Sequence, residues 1–224
     1  MENAATNLQD KAYYLIKNKI LRAEYQPGNK ISEKNIETDV QIGRTPVREA
    51  LLHLRRDGLI KVIPQSGTFI ALIDTHAALE AQFVRENIEK SIIIDSCGKI
   101  TDNQAQILED ILNVQHHVLA KHDIEGFFES DEQFHKMFYE ITDKNLVWNW
   151  LQTLNIQLNR FRWLRLKVVD LNWDLLEQQH VQIFEAVKKN EPQQAGALIS
   201  EHLRLMLQEQ PQLFQTFPEY FANK

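Results

Sequence analysis

Gly43-Arg44-Thr45-Pro46-Val47-Arg48-Glu49-Ala50-Leu51 is the stretch on which the fold turns. Glycine breaks whatever precedes it, and proline sits in a first-turn position, where its missing amide costs nothing. The spacing therefore predicts a helix over Thr45–Arg56, with Val47, Ala50, Leu51 and Leu54 as its inward stripe. Arg44 and Arg48 lie one turn apart on the other face, with Thr45 beside them. Upstream, Ser32 is placed to cap a short helix that ends near Val40. A short helix, a glycine turn and an exposed second helix make a helix-turn-helix. Guanidinium groups at the start of its second helix can bond guanine O6 and N7, and Thr45 can bond a phosphate.

Working outward, Ala12, Leu15, Ile16, Ile20 and Leu21 repeat near the helical period, and the run stops before Gln26-Pro27-Gly28. After Asp57-Gly58, the β-branched and apolar segments Leu59–Val62 and Thr68–Leu72 flank Ile63-Pro64-Gln65-Ser66-Gly67, which predicts a small hairpin, or wing. Residues 1–73 are thus expected to form a winged helix-turn-helix domain.

The full chain has 224 residues, 43% of them hydrophobic and 25% charged, with 7 Gly, 6 Pro and a single Cys. That is globular composition; a lone cysteine excludes an intrachain disulfide and a Cys-rich zinc site, and fits a reducing, cytoplasmic setting. No apolar run is long enough for a membrane span, so no membrane partner is expected. The formal net charge of −6 conceals an asymmetry. Residues 1–75 hold 11 Lys and Arg against 9 Asp and Glu, whereas residues 76–224 hold 14 against 22. A mildly basic head precedes an acidic body.

The body reads as helical throughout. Asp74, Thr101 with Gln104, Asp123, Asp143, Asn172 and Asn190 are read as six helix starts, and Pro192 fits a first turn. Pro211 and Pro218 are read as lying beyond the last helix. The expected architecture is mainly α: the winged head, an antiparallel six-helix bundle over residues 74–210, and a tail over 211–224.

Polar residues interrupt the apolar stripes of this body. Phe127, Asp131, Phe134, His135, Phe138 and Ile141 share one helix face; His180 lies with Leu176, Ile183, Phe184 and Val187; and His202 lies with Ala195, Leu198, Ile199 and Leu205. Buried charge requires a partner. Three neutral imidazoles and a carboxylate make a ligand set for a divalent ion, zinc first, with nickel and manganese as alternatives. The plainer reading is four separately satisfied core residues. His53, His76, His116, His117 and His122 lack an apolar context and are read as surface residues. Asn155, Asn159 and Arg162 interrupt a leucine stripe, either lining a pocket or facing water.

Taken together, Arg44-Thr45-Pro46-Val47-Arg48-Glu49-Ala50-Leu51, Asp57-Gly58-Leu59-Ile60 and Gly67, with Pro27-Gly28 upstream, resemble the GntR family of bacterial transcription regulators over about residues 9–72. Asp131-Glu132-Gln133-Phe134-His135, Asn145-Leu146, His180-Val181-Gln182-Ile183-Phe184 and His202-Leu203 resemble the helical effector (FCD) domain of its FadR-like subgroup. The resemblance implies that Arg44, Thr45 and Arg48 contact DNA, that Gly67 is the wing-tip glycine at the minor groove, and that Lys34 stands where an arginine often does. A lysine there keeps the charge and loses the planar fork. It further implies a metal on Asp131, His135, His180 and His202, and an Arg85 that faces an effector carboxylate, against the simpler reading of a salt bridge to Glu86 or Glu89.

The expected function is a homodimeric regulator, with repression implied by the resemblance alone. It would bind pseudo-palindromic operator DNA and respond to a small carboxylate effector bound through Arg85 and Asn155 near the metal. Two other readings stand beside it. One is a metal-dependent enzyme acting on a small organic acid, for which no separate base is apparent. The other is a direct metal sensor.

Overall fold

Helix α1 (Ala4–Leu21) opens the described chain; the computed structural model describes residues 4–168 and 172–222. It turns its Ala12, Ile16 and Ile20 inward against α2 (Glu33–Val40) and α3 (Arg44–Arg56). Ser32 caps α2 through the Asn35 amide, and Gln41 ends it in the left-handed region. Gly43 then leads into α3, whose Val47, Ala50, Leu51 and Leu54 are buried. The wing is β2 (Ile60–Ile63) paired antiparallel with β3 (Gly67–Ile70), in the register Ile60 to Ile70 and Ile63 to Gly67. A third strand that the sequence did not reveal, β1 (Lys30–Ile31), pairs with the other edge of β3, giving the order β1-β3-β2. Two residues are too few to show a period.

The body contains α4 (Thr75–Ser96), α5 (Asp102–Ala120), α6 (Ile124–Ile141), α7 (Asn145–Leu154), α8 (Ile156–Arg165), α9 (Trp173–Lys188) and α10 (Pro192–Thr216). Thr101 and Gln104 form the expected capping box, Asp123 caps α6 and Asn172 caps α9. Three sequence readings need correction. The fourth expected helix is two, α7 and α8, parted at Asn155. Asp143 and Asn190 do not open helices: both have positive φ and lie where α6 and α9 have ended. Pro211 does not mark the end of α10 but lies inside it. Proline removes one amide and restricts the residue before it, yet well-packed turns on either side can carry a helix through. Leu213 beyond it is fully buried.

Two compact units account for these elements. One comprises residues 1–78, 156–164 and 214–224; the other comprises 79–155 and 165–213. The expected boundaries at 73 and 210 follow the chain, whereas the packing does not: most of α8 and the residues after Leu213 belong with the head. Ile156 is buried in the same apolar cluster as Ile16, Ile36 and Leu54. The second unit has its own core, in which Ile93, Leu108, Phe134, Phe138, Ile183 and Ile199 are buried.

Candidate metal centre and nucleic-acid interface

Within the second unit, α6 brings Asp131 and His135 to one face, a turn apart, while α9 supplies His180 and α10 supplies His202. All four are buried, and one ligand atom from each lies within 4.8 Å of the others. His180 Nε2 is 3.1 Å from His202 Nε2 and 3.6 Å from Asp131 Oδ1, and His135 Nε2 is 3.8 Å from Asp131 Oδ2. Ligands on one tetrahedral zinc ion, at bond lengths of about 2.0–2.2 Å, stand about 3.3–3.6 Å apart. The three separations above, 3.1, 3.6 and 3.8 Å, bracket that range.

The outer nitrogens explain why the inner ones converge. His180 Nδ1 is 2.9 Å from Gln115 Oε1, His202 Nδ1 is 3.0 Å from Gln179 Oε1, and His135 Nδ1 faces Glu89 Oε1. An oxygen acceptor at Nδ1 puts the proton there, which leaves every Nε2 as a bare lone pair. In that tautomer three lone pairs and a carboxylate face one point, and His135 Nε2 has no hydrogen-bond partner. Such a set repels itself until a cation enters, and an acceptor behind each imidazole is the usual support of a histidine metal ligand.

Burial acts in the same direction. It pulls His180 down to about 3 and His202 well below its ordinary value, so both stay neutral. Glu89 is also fully enclosed; burial disfavours its charge, but Arg85 and His135 outweigh that and leave it ionised, at about 2. Apolar walls complete the site, with the Phe134 ring stacked on His180 at 4.3 Å between centroids.

Arg85 is buried on α4, where its Nε donates to Glu89 Oε2 at 2.9 Å, and its Nη2 is without a partner. The salt bridge to Glu89 is therefore real, and it links Arg85 to the histidine–aspartate cluster through His135. Asn155 is buried where α7 ends, its Oδ1 unpartnered, and it is not among the four clustered residues. Asn159 accepts from Arg162 and falls in the first unit. His53, His76, His116, His117 and His122 are all exposed. Sequence reasoning missed Gln115 and Gln179, and it gave Glu89 only half its role. Gln115 carried a signal, since it continues the buried Leu108 and Leu112 stripe of α5.

The other candidate surface lies in the first unit. Arg44, Thr45 and Arg48 are exposed at the start of α3, and Lys34 is exposed on α2. Arg44 has only a loose ion pair, 3.8 Å, with Glu33. Gly67 opens β3 at φ 126°, and a Cβ there would meet the Lys30 side chain at 2.7 Å. The positive φ is what favours glycine here, since the exposed Lys30 side chain is free to swing away from an added Cβ.

Comparison with known proteins gives two family matches. Residues 8–70 match the bacterial regulatory proteins of the gntR family, and residues 80–205 match the FCD domain. The HTH-type transcriptional repressor RspR of Escherichia coli (strain K12) is 27% identical over 222 residues, covering 99% of this chain and 97% of that protein. An HTH-type transcriptional regulator from Streptomyces ambofaciens is 29% identical over 221 residues, covering 99% and 92%. Among solved structures, E. coli McbR/YncC superposes with a TM-score of 0.74 at 17% identity, covering 97% of this chain and all of that one.

Proposed function

The chain belongs to the GntR family of transcription regulators and carries an FCD domain, and from that premise we propose that it is a metal-dependent repressor answering to a small carboxylate. Asp131, His135, His180 and His202 hold a divalent ion, zinc first. When bound, that ion supplies positive charge at the centre of the bundle and an anchor for an anionic ligand. The observation that carries this reading is the convergence of three Nε2 lone pairs and a carboxylate, each imidazole backed by its own acceptor. Arg85, whose Nη2 is buried and unpartnered, receives the effector's carboxylate. Asn155, with its unpartnered Oδ1, is the weaker member of that pair.

The same reading assigns Arg44 and Arg48 to base edges, Thr45 and Lys34 to phosphates, and Gly67 to the close approach of the wing. Two such heads on a homodimer match a pseudo-palindromic operator. Phe83 on α4 and the one-turn repeat of Leu146, Trp150 and Leu154 on α7 leave apolar faces exposed that a second copy would cover. A regulator of this kind works in the cytoplasm.

The test is operator affinity at one fixed salt concentration, on a duplex selected by the protein from random DNA. Arg48→Ala is expected to weaken specific binding by about 1–3 kcal/mol while far-UV circular dichroism stays unchanged. Unaltered affinity rejects the assignment. One observation favours the direct-sensor reading: four protein ligands already suffice for a tetrahedral ion. If operator affinity follows free zinc and is indifferent to added carboxylic acids, the ion is the signal.

A further inference from the structure

The four residues that join the wing to α4 are held one by one. Arg160 of α8 donates from Nη2 to the Ala71 carbonyl at 2.7 Å and from Nη1 to the Leu72 carbonyl at 3.3 Å. The Ile73 amide donates to the Tyr220 carbonyl at 2.8 Å, and the Ala222 amide returns a bond to the Ile73 carbonyl at 3.0 Å, a short parallel bridge. The Asp74 amide donates to Gln157 Oε1, which also accepts from Arg160 Nη1 at 3.2 Å. Phe221 is buried against Phe161 of α8 and Phe214 of α10, with ring centroids 5.8 and 4.7 Å apart.

Arg160 is an unusual residue for such a place. Its guanidinium is almost fully buried, and burial pulls it down to about 9, with no acid among the described residues close enough to oppose the shift. An arginine without a counter-ion costs more in the interior than an apolar side chain would. Its donors are directed at the connector, and holding the connector is the role its position supports.

Both holding elements run on from the metal-bearing unit. Helix α10 carries His202 and belongs to that unit as far as Leu213; from Phe214 onward the chain belongs to the other. Between them lies Pro211, which cannot donate to the Leu207 carbonyl and so marks the weak point of the helix. Two residues earlier, Glu209 is ion-paired with Arg165, the last residue of α8. His202, Glu209, Pro211, Phe214 and Phe221 thus follow one another along a single stretch of chain.

We propose that α8 and residues 214–222 form a latch on the connector 71–74, and that occupancy of the metal centre, through His202 and α10, sets how firmly the latch is closed. This rests on the metal reading given above, because the signal it carries begins at His202. Seating His202 on an ion restricts α10 ahead of its proline, which favours one placement of Phe214 and Phe221.

The test is amide hydrogen exchange of the full-length protein, with zinc alone as the probe, followed in the segments that contain Ile73 and Ala222. Zinc binding is measured in parallel by calorimetry. Wild-type protein is expected to exchange both segments about fivefold or more slowly when zinc is bound, the lower range of ordinary site-to-site coupling. Arg160→Met and, independently, Phe221→Ala are expected to bind zinc as before and to lose the zinc-dependent difference at Ile73. Zinc binding with unchanged exchange at Ile73 and Ala222 overturns the latch and leaves the metal centre standing. No zinc binding overturns both. Retention of the full zinc effect in a folded Phe221→Ala protein also overturns it.

Discussion

His180 shows how much of the site depends on residues that never touch an ion. Its ring is stacked on Phe134 and its Nδ1 is fixed by Gln115, so the direction of its Nε2 lone pair is set before any metal arrives. Gln115→Leu keeps the volume and deletes the acceptor. Metal affinity is expected to fall about 10–100-fold with the fold intact, as measured by competition with a chelator. Acid should act through the same imidazole. Buried His180 has its pKa lowered from 6.5 to about 3, so between those values the folded, metal-free chain binds fewer protons than the unfolded one. Its stability is therefore complete above about pH 6.5 and is lost as the pH falls towards 3, at up to about 1.4 kcal/mol per unit for this one group. His202 adds loss of the same sign, and Glu89, at about 2 against an ordinary 4.5, adds more below pH 4.5. Chemical denaturation at pH 7.5 and pH 5 checks this, and equal midpoints at the two would contradict it.

Helices differ in how openly they declare themselves. The α6 stripe was legible because Asp131 and His135 interrupt a run of phenylalanines at the helical period. The recognition helix was legible because Gly43, Pro46 and four buried apolar positions agree on where it starts and which way it faces. Periodicity says which face of a helix is buried, however, and not in which core. That is why α8 was misread as the continuation of α7. Trp148 and Leu151 of α7 are buried in the second unit, but Ile156 is buried in the cluster around Leu54 and Ile70 of the first, and one unbroken helix did not suit both. The pairings of Gln115, Gln179 and Glu89 with the histidines were hidden for a related reason, since each joins positions on two different helices with no shared spacing. If α8 is part of the head, Ile156→Ala should lower the stability of the DNA-binding unit by about 2–4 kcal/mol while metal content stays constant. Thermal melts with paired elemental analysis read both quantities. A variant with wild-type melting behaviour would argue against this packing.

The molecule as a whole combines a solvent-facing helix that carries Arg44 and Arg48 with a buried cluster of three histidines and an aspartate, the candidate cation site, in one chain whose net charge gave no hint of DNA. The head could be recognised from a dozen contiguous residues. The candidate metal centre requires four residues between positions 131 and 202 to meet, which a single sequence can suggest but not place. Among the described residues no helix is long and apolar enough to cross a membrane. Elemental analysis of the purified, full-length protein beside His180→Ala is the most direct measurement of whether these four side chains work together. About one divalent ion per chain is expected in the wild type, falling below about a tenth of that in the variant with a lower melting temperature, as for loss of one ligand from a four-ligand site. Metal content that is negligible in the wild type, or unchanged when His180 is removed, would contradict the metal centre outright.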